Sequence, residues 1–224
     1  MFALHGAQAA EPTFTEGFRE TLRALGVTAL QVNVDDDAVA PAMRLGTGDP
    51  VVAVLSVWAP DKTDASAFAP IVAAIAEASG EAAPHGWLVE ETVRLDPAPV
   101  PDGERSDVLA NVALLRRPAE MSHGDYLAYW RLHHTAIAIR TQNTSAYVQN
   151  AVVAPLTDGS PAVAALVEEH FPMAAMTDLH EFYGSRGDDV ELQRRMSELM
   201  ASVERFGAAQ DIDLVPSSRY SWRW

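Results

Sequence analysis

Helical and two-residue periodicities divide this chain into two runs of similar elements. Phe14, Phe18, Leu22 and Leu25 share one helical face and end at Gly26, a good helix stop. Thr13 and Glu16 stand at capping-box spacing before that face. A short apolar run from Met1 to Ala7 precedes it, and Val27 to Val34 reads as a strand. Val51 to Ala59, VVAVLSVWA, is a valine-rich strand. Phe68, Ile71, Val72 and Ile75 mark a helix over 65–79 whose regular part begins near Pro70 and stops at Gly80. Gly86 to Leu95 closes the first run as a strand, giving β-α-β-β-α-β.

Residues 96–106, DPAPVPDGERS, read as a linker of prolines and charges. The second run then repeats the first. A strand is expected over 107–117, a long helix over 122–140 opened by the Ser122/Asp125 capping box, and a strand over 145–154. The segment 155–172 reads as a loop, 174–183 as a strand, 187–206 as a helix with Asp188 and Asp189 at its start, and 217–224 as a last strand. Each half matches the split βαβ plan. The predicted organisation is therefore α+β, with tandem ferredoxin-like (βαββαβ) halves at 1–95 and 107–224. The strands look apolar on both faces, so the two sheets are expected to pack into an α+β barrel, within one chain or between the chains of a homodimer.

Composition then narrows the chemistry. The net charge is −15, from 16 basic and 31 acidic residues. That field repels phosphate backbones and anionic lipid, so neither nucleic acid nor membrane is an expected partner. Cysteine is absent, which removes disulfides, thiolate catalysis and Cys-ligated metal. Lys62 is the single lysine and sits in the turn-like PDKTD, a poor place for a desolvated Schiff-base amine. No run of 18 apolar residues occurs, and the start of the chain lacks the basic region of a signal peptide, so a cytoplasmic protein is expected. Asp35, Asp36 and Asp37 read as a solvated acidic turn rather than a metal site.

The candidate chemistry gathers around Met121 to Asn150. Tyr126, Trp130, His134 and Ile137 form one helical stripe, with Tyr129 and His133 on a neighbouring one. His134 is a candidate acid/base; the same position also suits a histidine that only orients packing. His133 points about 100° away and reads as surface. On the expected strand 174–183, His180 shares a face with Asp178, and Glu181 with Tyr183. His134, His180 and Asp178 are thus the expected catalytic groups. Tyr129, Trp130, Tyr147, Asn150, Glu181 and Tyr183 are the expected substrate contacts.

Leu114-Leu115-Arg116-Arg117-Pro118, Ser122, Tyr126, Tyr129-Trp130 and His134, followed by Tyr147 to Asn150 and the acids Asp178 and Glu181, resemble the EthD-domain family of dimeric α+β barrel proteins. The chain has Ala119-Glu120 and Thr135-Ala136 where that family usually carries a turn glycine and a proline. The resemblance spans about 107–224, and it implies a barrel fold and a pocket for a small, largely apolar, oxygenated molecule. It leaves three readings open: a cofactor-independent acid/base enzyme of lyase, isomerase or cyclase type, an accessory protein of oxidative degradation that binds without turnover, and a haem protein using His170 or His180. No cofactor and no metal are expected on the first reading.

Overall fold

The computed structural model describes residues 1–6, 8–46, 48–81, 83–208 and 211–224. Among these residues eight strands form one closed antiparallel barrel: β1 (Phe2–Leu4), β2 (Ala29–Val34), β3 (Ala53–Trp58), β4 (His85–Leu95), β5 (Leu109–Leu115), β6 (Ala146–Pro155), β7 (Ala165–Phe171) and β8 (Asp213–Arg223). Around the barrel the order is β1-β3-β2-β8-β5-β7-β6-β4. The first four strands thus lie together as β4-β1-β3-β2 and the last four as β8-β5-β7-β6. Two seams, β2 with β8 and β4 with β6, join them and leave no free edge. The barrel closes within one chain.

Helices cover the outside. They are α1 (Glu16–Ala24), α2 (Ala69–Ser79), α3 (His123–Tyr129), α4 (Thr135–Thr141), α5 (Leu179–Tyr183) and α6 (Asp189–Arg205). Among the described residues none is long and apolar enough to cross a membrane. The α1 cap is Thr15, whose hydroxyl accepts from Phe18 N; the expected cap, Thr13, lies inside a preceding 3-10 turn. The first strand is shorter than expected, and Ala7 lies outside the described residues. Asp36 caps a short turn and Asp35 pairs with Arg44, so the DDD run is a solvated turn.

Two expectations fail in the second half. The segment read as a loop contains β7, which pairs with both β5 and β6. The segment read as a strand is a 3-10 turn, Met173–Met176, followed by α5. Local capping decides the latter. Asp178 accepts from the backbone of His180 and Glu181, and Gly184 closes the helix in the left-handed conformation.

The helix of 123–141 is continuous but widened at Trp130–His134. Thr135 N bonds to Trp130 O, five residues back, and the Thr135 hydroxyl donates to the same carbonyl at 2.8 Å. The extra residue shifts the buried stripe by one position. Tyr126, Trp130 and His134 are buried as expected, but the next buried positions are Thr135 and Ala138 rather than Ile137.

The strands are not apolar on both faces. Outward side chains such as Leu30, Leu55, Val167 and Leu115 pack under the helices. Inward side chains change along the barrel axis. One end is filled by Trp87, Val54, Val112, Leu114, Leu166 and Val215. The middle carries Gln31, Asn33, Glu168, His170, Ser217 and Arg219, all buried. The other end is open.

Candidate functional site

Alternation along the strands places the inner polar layer. On β2, Gln31 and Asn33 face inward two residues apart; on β7, Glu168 and His170 do the same; on β8, Ser217 and Arg219. Glu168 is the centre of the layer. Its Oε1 meets His170 Nε2 at 2.7 Å and Arg219 Nε at 3.2 Å, and its Oε2 accepts from Gln31 Nε2 at 2.7 Å. Asn33 Nδ2 donates to Ser217 Oγ at 3.1 Å, and Ser217 donates to Ala110 O at 2.6 Å. Arg219 Nε also lies 2.9 Å from Gln31 Oε1, and its Nη1 reaches Ser106 Oγ at 3.3 Å. Burial pushes the Glu168 carboxyl up. The His170 hydrogen bond and charge, the Arg219 charge and the Gln31 amide outweigh it and hold the group at about 2.

Above this layer lies a cavity of about 760 Å3. That is within the range of about 300–1,000 Å3 for ligand pockets. Its floor is Glu168, Arg219 and Gln31; its walls include Ser56 and Asn150; exposed Glu91 stands beside Asn150 where the wall reaches the mouth; its rim carries Trp58, Trp222 and Trp224. Glu91 faces inward from β4 opposite Asn150 of β6. Glu91 is an exposed residue, and partial loss of water raises its carboxyl above its ordinary value; a Trp58 hydrogen bond lowers it, the Glu168 charge raises it and Arg223 lowers it. Two carboxyls in one cavity are therefore pushed in opposite directions. This is how acid and base roles are separated.

The linker expected at 96–106 has a structural role here. Asp96, Pro97, Pro99, Val100 and Asp102 line the mouth, and the chain then runs down beside β8. Gly103 N donates to Ser221 O (2.9 Å), Ser106 N to Arg219 O (2.9 Å) and Arg223 N to Asp102 Oδ1 (3.2 Å). Gly103 has φ +78°, and a Cβ there would come within 2.9 Å of the Trp222 indole nitrogen. Gly103→Ala should therefore lift the linker from Trp222 and destabilise the protein by about 1 kcal/mol or more. Thermal melting measures the loss; an unchanged melting temperature would refute the packing role.

Of the nine residues expected to form the site, only Asn150 lines this cavity. Trp130 and Tyr147 are buried between the helices and the outer face of the sheet. Tyr147 points outward because it alternates with inward Val148 and Asn150. Burial pushes its hydroxyl far above the usual range. His134 bonds Ser202 Oγ at 3.0 Å and packs 4.6 Å from the Phe206 ring, tying the widened helix to α6. Burial pulls its imidazole down to about 4. Tyr129 stacks on Phe206 and His133 outside the barrel. Asp178 is a helix cap. His180 bonds Ser185 Oγ at 2.7 Å and lies 3.4 Å from Asp189, while Glu181 is exposed and Tyr183 packs under α6. All four sit on or at the start of α5, outside the barrel, because the expected strand is a helix.

The other open readings meet the same geometry. Among the described residues no histidine lines the cavity, and His170 is tied to Glu168, so no imidazole is presented for axial haem ligation. No cluster of three potential metal ligands occurs among the described residues.

The residues that do form the floor left a signal in the sequence. Gln31-x-Asn33, Glu168-x-His170 and Ser217-x-Arg219 are polar pairs at strand spacing inside β-forming segments. Two of the three fall in segments whose local pattern suggests a loop or a later strand start.

No family model matches this chain, and no curated protein matches it in sequence. Among solved structures, one described as a crystal structure study of an anthrone oxidase-like protein is similar in fold, with a TM-score of 0.55 and 9% identity. The match covers 99% of this chain and 90% of that one. At that identity the likeness is one of fold: nearly the whole chain shares an α+β barrel architecture with that protein.

Proposed function

We propose that this protein is an acid/base enzyme whose reaction takes place inside the barrel, on a flat, largely apolar, oxygenated molecule. The observation that carries this is the pair of carboxyls in one cavity, Glu168 held ionised and Glu91 raised. Glu91 is the proton carrier, since a raised carboxyl is the better base and the better-matched acid near neutrality. Glu168 supplies fixed negative charge balanced by Arg219. Isomerisation or cyclisation through an enolate needs no more than such a proton carrier and a place for the oxygen. The solved neighbour's name supports the substrate class, since an anthrone is a tricyclic aromatic ketone that interconverts with its phenol form by proton transfer.

The strand orders β4-β1-β3-β2 and β8-β5-β7-β6 support a reading of the fold as two ferredoxin-like halves joined by residues 96–106. The EthD kinship is likewise a proposal. Of the residues that carry it, those from Leu114 to His134 lie in β5, the turn after it and the outer helix layer, Asp178 and Glu181 lie at α5, and Asn150 lines the cavity.

The test follows deuterium uptake at the methylene of anthrone in D2O by proton NMR. Wild type should accelerate exchange, and Glu91→Gln should lose about 100-fold or more of that acceleration. Equal acceleration by Glu91→Gln would remove Glu91 from the mechanism. A second reading, a binding protein without turnover, is favoured by one observation: both carboxylate oxygens of Glu168 already accept from the protein. Tight binding of anthrone with no exchange above buffer would establish that reading instead.

A further inference from the structure

We propose that the cavity recognises its ligand through one acidic hydroxyl, which enters neutral and is held inside as the oxyanion by Arg219 and Asn150. This rests on the reading that the cavity is the ligand site, and it adds which end of the ligand goes in first and what must stand there.

The polar groups of the cavity wall point to this ligand. Asn150, Ser56 and Arg219 are 4%, 6% and 8% exposed. All three line the cavity from different strands, β6, β3 and β8. Arg219 uses Nε on Glu168 and Gln31 and Nη1 on Ser106. Among the described residues no group accepts from its Nη2. The side-chain amide of Asn150 and the hydroxyl of Ser56 likewise have no protein partner among them. These are largely buried residues whose free polar atoms open onto a single space, so water or a ligand in that space must satisfy them. The nearby acceptors are already taken: Glu168 Oε1 by His170 and Arg219, and Oε2 by Gln31. Beside the ionised Glu168, what Arg219, Asn150 and Ser56 still offer this space is a guanidinium N–H, an amide N–H and a hydroxyl. That set fits an oxygen bearing negative charge.

Above the donors the wall becomes apolar. Val93, Val148, Trp58 and Pro97 face the space where the rest of the ligand would lie. The ligand is therefore a flat aromatic body with an acidic oxygen at its inner end. An anion drawn from solution would meet a chain of net charge −15 and the carboxyls of Glu91, Asp96 and Asp102 at the mouth. A neutral hydroxyl avoids that repulsion. Inside, its O–H bond breaks, the proton passes to the Glu91 carboxylate, and the electron pair stays on the ligand oxygen facing Arg219. Glu91 stands across from Asn150 in register, so acceptor and donor share one stretch of wall. The charge of the complex is the same before and after the transfer.

The probes are 2-naphthol and its methyl ether, 2-methoxynaphthalene, titrated calorimetrically into the full chain at pH 7. Naphthol should bind about tenfold tighter or more, and its bound absorption should shift to that of naphtholate. Asn150→Ala should cost naphthol about tenfold and leave the ether unchanged. Asn150 makes no side-chain bond to the described protein, so this variant keeps the fold. Equal affinity for the two probes, or bound naphthol with an unshifted spectrum, overturns the oxyanion while leaving a ligand cavity. If neither probe nor anthrone binds wild type, the cavity reading itself falls.

Discussion

Arg219→Met should destabilise the protein by about 3 kcal/mol, near the lower end of what removing one partner of a buried ion pair costs. Arg219 is 8% exposed and Glu168 is 4% exposed, and they meet at 3.2 Å inside a closed barrel. Methionine fills much of the volume but leaves the carboxylate without its guanidinium. His170, Gln31 and Asn33 remain on Glu168, so the loss stays below the upper limit of about 5 kcal/mol. Glu168→Gln alone should also destabilise, because it strands the cation. The double variant should recover part of the sum, with a coupling of about 1–3 kcal/mol in a double-mutant cycle measured by urea unfolding. Strict additivity would mean that the two side chains do not act as a pair, and the charge arrangement proposed for the cavity would be wrong.

Glu169→Gln should abolish a loss of stability between pH 4.5 and 7. Glu169 follows Glu168 on β7 and so faces the opposite way, out under the helices. Asn111 and Tyr147 flank it in register on β5 and β6, and the Gln142 amide, with its nitrogen turned inward, donates to its Oε1 at 3.0 Å. The hydroxyl of Tyr183 lies near it from α5. No cation is paired with it among the described residues, and burial pushes its carboxyl up to about 7 from 4.5. A protonated Glu169 also offers a donor beside Asn111 Oδ1, which is buried and otherwise without a partner.

The sign follows from proton counting. The folded value lies above the unfolded one, so the folded state holds the proton more tightly. Stability from this group is complete below pH 4.5, declines as pH rises, and is lost above 7. The size is about 2–3 kcal/mol, since each tenfold difference in proton affinity between the folded and unfolded chain is worth about 1.4 kcal/mol and the residue is only half-buried. His134 works in the opposite direction. Its folded value, about 4, lies below its ordinary 6.5, so its contribution is complete above pH 6.5 and lost toward pH 4. In wild type the two largely offset each other across pH 4.5–6.5. Glu169→Gln uncovers the His134 slope and raises stability above pH 7 relative to wild type. Urea titrations at pH 4.5 and 7.5 read both effects. A difference between variant and wild type that is the same at the two pH values would sink the assignment.

Most of the elements are legible in local patterns of residues. Helical stripes, glycine stops and valine-rich runs locate α1, α2, α6, β3 and β6 within a few residues, because those signals are local. The β-α-β-β-α-β order of residues 1–95 and the acidic field are also legible there, whereas the third strand of the second run, expected at 174–183, lies at Ala165–Phe171. Local signals misled where two tendencies competed. Ala174 to Tyr183 has strand-compatible residues, but Asp178 and Gly184 cap a helix there. The β7 segment, LVEEHF, has two adjacent glutamates that read as solvent-facing. Only the barrel shows that one of them faces a cavity floor and the other a helix.

The site was decided by the tertiary structure. His134 and Trp130 looked chemical because they stack on one helical face, yet that face packs against the outside of the sheet. Gln31, Glu91, Glu168 and Arg219 lie as much as 188 residues apart in sequence and meet because eight strands close on themselves. Alternation can say that two side chains share a face. Which face is the interior depends on how the strands pair around the barrel, and that pairing is a property of the whole chain.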